Sequence, residues 1–123
     1  MKLDRLRGRK IVARVQQKGL LWKGKHLQAR YIYGYPRHPA AKTDRPGVFV
    51  GTLGSTKLSK LAVERNRMRR RSREALRTSL KAMSNFPTVQ LLILPRSSSL
   101  QCPFTEIQTD ITSLLEFLQR PHS

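Results

Sequence analysis

The chain has 123 residues and carries 25 Lys and Arg against 7 Asp and Glu, a formal net charge of +18 with a sequence pI near 11.6. That length makes a single domain spanning 1–123, large enough to close a core without staples, and a hydrophobic content of 38% lies above the composition of a disordered chain. The single cysteine, Cys102, excludes an internal disulfide and, with the scattered His26, His38 and His122, leaves no zinc cluster, so a reducing, cytoplasmic setting is expected. The longest purely apolar run, Leu91 to Leu94, is far too short for a membrane span, and MKLDRLRGRK lacks the apolar stretch of a signal peptide.

From Asp4 to Lys18, apolar Leu6, Ile11, Val12 and Val15 fall among basic residues and Gly19 follows as a stop, which predicts a short amphipathic helix or a turn leading into one. Trp22, in the patch LLW, is expected to pack the start of a sheet. Residues 27–35 alternate and predict a strand with Tyr31, Tyr33 and Tyr35 on one face. Those tyrosines leave two readings open, core packing or stacking of unpaired bases. Residues 36–46 carry three prolines and read as a loop, and residues 47–54 predict a second strand, paired antiparallel with the first.

No Pro or Gly interrupts Ser59 to Met83, which predicts a long helix. At 100° per residue, Leu61, Met68, Ser72, Ala75, Leu76, Ser79 and Met83 form its apolar seam. Asn66, Arg70, Arg73, Arg77 and Lys81 fall opposite, with Arg67 and Arg69 on the flanks. Arg65 projects into the seam, where it must snorkel, pair or line a cleft. TVQLLIL, residues 88–94, reads as a buried strand. Phe104, Ile107, Ile111, Leu114, Leu115 and Leu118 then trace the core stripe of a last helix, with Pro103 at its first turn. The strand, helix, strand succession makes the second and third strands parallel in one small mixed sheet with helices packed on it, an α/β arrangement.

The charge is concentrated. Residues 1–85 hold 23 basic against 4 acidic residues, net +19, and residues 86–123 carry net −1. An excess of this size repels itself in a compact domain unless a polyanion neutralises it, which points to nucleic acid. Seven arginines and no lysine lie between Arg65 and Arg77. Their planar donor forks match phosphate oxygens and stack on bases, which suits structured RNA. Glu74 can pair with Arg70 or Arg77 at helical spacing. Asp4, Asp44, Glu64 and Glu74 are dispersed among arginines, and the histidines show no acid and base spacing. No phosphate-binding glycine loop or nucleophile elbow is present. A reactive centre, if one is involved, is expected on a partner.

AVERNRMRRRSREALR, residues 62–77, resembles the signature of the bacterial ribonuclease P protein component: Ala62 and Val63 precede the Arg65-Asn66-Arg67 block, and Arg69, Arg70 and Arg73 continue it. The resemblance extends over nearly the whole chain in element order. It implies a two-layer α/β sandwich of the kind found in a ribosomal protein domain, with a left-handed βαβ crossover that general handedness rules would not predict. It implies an accessory subunit of a ribonucleoprotein endoribonuclease, whose catalytic RNA removes the 5′ leader of precursor tRNA with magnesium held mainly by that RNA. The implied partners are the catalytic RNA and precursor tRNA, with no membrane or protein partner, and no catalytic or metal-ligating residue is assigned to this chain. RNA contacts are expected at Lys57, Lys60, Arg65, Asn66, Arg67, Arg69, Arg70, Arg73 and Arg77, and a leader cleft at Val12, Gln16, Arg30, Tyr31 and Tyr33. The sequence departs from the family pattern at Lys60, where a glycine is usual, and at Val12 and Gln16, where aromatics are frequent. A basic RNA-binding ribosomal or assembly protein with no role in tRNA processing shares the charge, as does a DNA-binding protein using the long helix in a major groove.

Overall fold

The computed structural model describes residues 3–6, 8–36, 47–53, 60–83 and 86–120. Five strands form one mixed sheet: β1 (Leu3–Arg5), β2 (Leu20–Lys23), β3 (Leu27–Tyr33), β4 (Val48–Thr52) and β5 (Val89–Pro95), in the order β1-β4-β5-β3-β2. Three helices cover it: α1 (Arg9–Lys18), α2 (Ala62–Lys81) and α3 (Phe104–Gln119), with a short 3-10 turn at Ser97–Leu100. None of the described helices is long and apolar enough to cross a membrane.

The centre belongs to β5. Val89, Gln90, Leu91, Leu92 and Ile93 are all buried, as expected of a strand covered on both faces. Alternate residues supply two apolar clusters. Tyr31, Val48, Val50, Leu91 and Ile93 point to α2 and α3, meeting Ala75, Leu76, Ile107, Ile111 and Leu115. Phe49, Leu92, Ile32 and Leu94 point to α1, meeting Ile11 and Val15. β4, α2 and β5 make the expected crossover, and β4 and β5 are parallel.

Four expectations are corrected. Strands β3 and β4 do not pair; β5 lies between them, antiparallel to β3, because its two apolar faces demand the most enclosed position. The predicted first helix begins only at Arg9: Leu3–Arg5 is a strand parallel to β4, and the Leu6 amide extends that ladder to the Val50 carbonyl at 2.9 Å. Tyr35 leaves the face of Tyr31 and Tyr33. The strand breaks at Gly34, whose φ of 110° favours glycine, and Tyr35 packs on Phe49 in the α1 cluster at 6.2 Å between ring centroids. Leu61 is outside the seam of α2, 60% exposed at the helix N-cap.

A polar staple joins the β2–β3 turn to α3. The buried His26 ring bonds Ser98 Oγ through Nδ1 at 2.9 Å and Glu106 Oε1 through Nε2 at 2.8 Å, and the His26 amide donates to Asp110 Oδ2 at 2.6 Å. Hydrogen bonds from His26 and Lys25 hold the Glu106 carboxyl below its usual range.

Candidate nucleic-acid interface

Helix α2 carries the site because its sequence divides cleanly around the axis. Met68, Ser72, Ala75, Leu76 and Leu80 are buried, and the small Ser72 and Ala75 let the helix lie close to its neighbours. Asn66, Arg70, Arg73 and Arg77 follow at intervals of three and four residues on the exposed side, flanked by exposed Arg67 and Arg69. Among the described residues Arg67, Arg70 and Arg73 make no ion pair, so their charge is presented outward. Glu74 is committed to Arg77, with Oε1 accepting from Nη2 at 2.5 Å and Oε2 from Nε at 3.3 Å. That hydrogen bond, with the charges of Arg77 and Lys81, holds the Glu74 carboxyl below its usual range, and the same hydrogen bond with the Glu74 charge holds the Arg77 guanidinium above its own. The pair leaves the ridge strongly cationic.

Two grooves flank the ridge, and Arg70 and Arg73 border both. The first, about 550 Å³, runs between α2 and the β1 edge of the sheet, where Arg5 and Thr52 face Asn66, Arg69, Arg70 and Arg73. Within it Asn66 Oδ1 accepts a hydrogen bond from Arg69 Nη1 at 3.0 Å. The second, about 460 Å³, runs along the opposite flank toward α3 and is bordered by Arg67, Arg71, Glu74, Arg77 and Phe104. Guanidinium groups bordering two grooves can donate to phosphate oxygens in both.

The sequence-predicted residues separate into groups. Asn66, Arg67, Arg69, Arg70, Arg73 and Arg77 stand together on the ridge and its grooves. Arg65 is half-buried and lines neither groove, and Lys60 is exposed just before the helix. Lys57 lies outside the described residues. The five residues expected to form a leader cleft are not brought together. Val12 packs against the α1 cluster, Gln16 is exposed on α1, and Arg30 reaches the Gly19 carbonyl at 3.2 Å. Tyr31 and Tyr33 point through the other face, since neighbouring residues of a strand alternate. Tyr31 is buried against Phe117, and the Tyr33 hydroxyl donates to the Leu118 carbonyl at 2.8 Å. Burial pushes both phenols above their ordinary range, with the neighbouring Tyr31 adding to the effect at Tyr33.

Three residues escaped the sequence reading. Arg5 joins the first groove only because β1 pairs with β4, and a three-residue strand leaves no periodic signal. Arg71, one of the seven arginines, lines the second groove but commits its guanidinium to the fold. Its Nη1 donates to the Ser99 and Leu100 carbonyls at 2.7 and 2.8 Å, and its Nη2 donates to that of Cys102. Phe104, expected in the core, is 36% exposed at the mouth of the second groove. Among the described residues no three His, Cys, Asp or Glu side chains are grouped to hold a metal ion.

Comparison with known proteins gives a consistent picture. The model of the family described as Ribonuclease P matches residues 1–119. A ribonuclease P protein component from Cyanothece sp. is 31% identical over 121 residues, covering 90% of this chain and 88% of its own. The fold superposes on the Staphylococcus aureus RNase P protein with a TM-score of 0.71 at 17% identity, covering 97% of this chain and all of that one. The Thermotoga maritima RNase P protein gives a TM-score of 0.70 at 17% identity, covering 98% and 99% of the two chains.

Proposed function

The chain belongs to the ribonuclease P protein family, and on that premise we propose that it binds a catalytic RNA and precursor tRNA in the cytoplasm and supports RNA-catalysed removal of the 5′ leader. The observation that carries this reading is the α2 ridge with its two grooves, in which guanidinium groups are exposed and, among the described residues, no acid pairs with Arg67, Arg70 or Arg73. Phosphates of the catalytic RNA occupy the ridge. The leader, in this reading, crosses the α1 face near Gln16 and Arg30, because Tyr31 and Tyr33 are engaged with α3.

Magnesium is assigned to the RNA. A hard divalent cation takes several oxygen ligands, whereas the grooves offer mainly guanidinium groups, with the Asn66 amide, the Thr52 hydroxyl and one carboxylate, Glu74, already engaged by Arg77, a donor set that does not fit it. The protein's contribution is electrostatic: counterions released from the RNA when arginines replace them lower the salt cost of bringing two polyanions together.

The test is cleavage of a precursor tRNA across a magnesium titration by RNA alone, protein alone and both. Protein alone leaves the precursor intact, and the mixture cleaves at lower magnesium than the RNA does. Cleavage by RNA-free protein, or an unchanged magnesium requirement, overturns the proposal.

A further inference from the structure

We propose that the second groove of α2 is a stacking site for one unpaired RNA nucleotide, with Phe104 as the platform and Arg67, Arg70 and Arg77 as phosphate ligands. The proposal rests on the reading of the chain as an RNA-binding subunit and deepens it from backbone contact to contact with a base.

Phe104 opens the stripe that continues through Ile107, Ile111 and Leu114. Those three are fully buried, whereas Phe104 is 36% exposed and belongs to neither apolar cluster. A ring with more than a third of its residue's surface open to water, outside both clusters, contributes less to the core than its stripe mates. Here it borders a groove of about 460 Å³, a volume in the range of small-molecule sites. The remaining walls are arginine side chains and Glu74, so the ring is the one flat apolar surface among guanidinium groups.

The segment that carries the platform is held in place by hydrogen bonds. Arg71 donates to the carbonyl of Cys102, two residues before the ring, and to those of Ser99 and Leu100. Pro103, at φ −57°, fixes the entry into α3. In the same groove the bidentate hydrogen bond to Glu74 orients the Arg77 guanidinium. A ring and an oriented phosphate ligand lining one groove match a nucleotide whose base stacks while its phosphate is bound. Paired bases in a duplex are stacked on each other and cannot reach the ring, so the site selects single strands, bulges or loops.

The full-length protein is titrated with a fluorescent single-stranded RNA of about eight nucleotides and with a duplex of the same length. Phe104→Leu weakens single-strand binding on the order of 5- to 150-fold and leaves duplex affinity unchanged. Phe104→Trp retains single-strand affinity, and its added indole fluorescence is quenched by the single strand and not by the duplex. Leucine binding the single strand as well as phenylalanine, or an equal loss for both RNAs, overturns the stacking site. Precursor cleavage is scored separately, so failure here leaves the ribonuclease P reading intact, and failure there does not decide this one.

Discussion

Replacing Arg71 by alanine separates two uses of the same side chain on one helix. Arg71 is half-buried and donates three hydrogen bonds to the carbonyls of Ser99, Leu100 and Cys102, closing the 3-10 turn onto α2. Hydrogen bonds to charged groups are worth about 1.5–3 kcal/mol each, but these carbonyls can be rehydrated once the turn loosens, so the three do not add in full. A loss of about 2–4 kcal/mol is expected, which lowers Tm by about 8–15 °C in a chain of this length. Arg70 is the control: it is exposed, makes no ion pair among the described residues, and Arg70→Ala changes stability by less than about 0.5 kcal/mol. Urea unfolding and a salt titration of RNA binding read both effects. Arg70→Ala lowers the slope of log K against log salt by about 0.7–0.9, one lost phosphate contact. Arg71→Ala leaves that slope unchanged at temperatures where the variant is folded. Equal stability losses for the two variants, or a reduced slope for Arg71→Ala alone, would refute the division.

Glu106 has a depressed folded-state pKa, so it contributes stability above its unfolded value near 4.5, and that contribution is lost as pH falls through the lower folded value. The stability gap between wild type and Glu106→Gln should therefore be widest near neutrality and close in acid; a gap independent of pH would contradict the His26 and Lys25 staple. Tyr33→Phe removes the hydroxyl donated to Leu118 and should cost about 1 kcal/mol, with amide exchange rising first at the C-terminal end of α3. Exchange that rises uniformly over the chain would argue against a local effect. Gly19 admits no side chain, since a Cβ there runs into the Val15 carbonyl and presses on the backbone of Tyr31. Gly19→Ala should destabilise by about 1–3 kcal/mol in chemical denaturation, and a neutral result would mean that α1 does not sit this close to β3.

Long periodic segments were legible and short ones were not. The three helices, β3 and the exposed arginines of α2 follow from alternation or helical spacing over many residues, and β4 and β5 from short runs dense in apolar residues. β1 has three residues and β2 has four, LLWK, with Leu20 and Leu21 exposed on a sheet edge, so neither carries a buried period. Strand order was misread because adjacency in sequence was taken as adjacency in space, whereas the doubly apolar β5 takes the centre. Arg71 illustrates the limit at single residues. Its neighbours differ from it by one helical step, and only the packed 3-10 turn distinguishes a hydrogen-bond donor to the fold from a ligand for RNA.

The central place of β5 also governs when the RNA surface can exist. Without it the sheet falls into two pieces, β1 with β4 and β3 with β2, that share no ladder. During synthesis α2 emerges with its arginines before the strand that seats it, and every pairing of β5 with β3 spans tens of residues. Such nonlocal closure is slow. The arginine helix therefore has no complete seat on the sheet until Val89–Pro95 has been made.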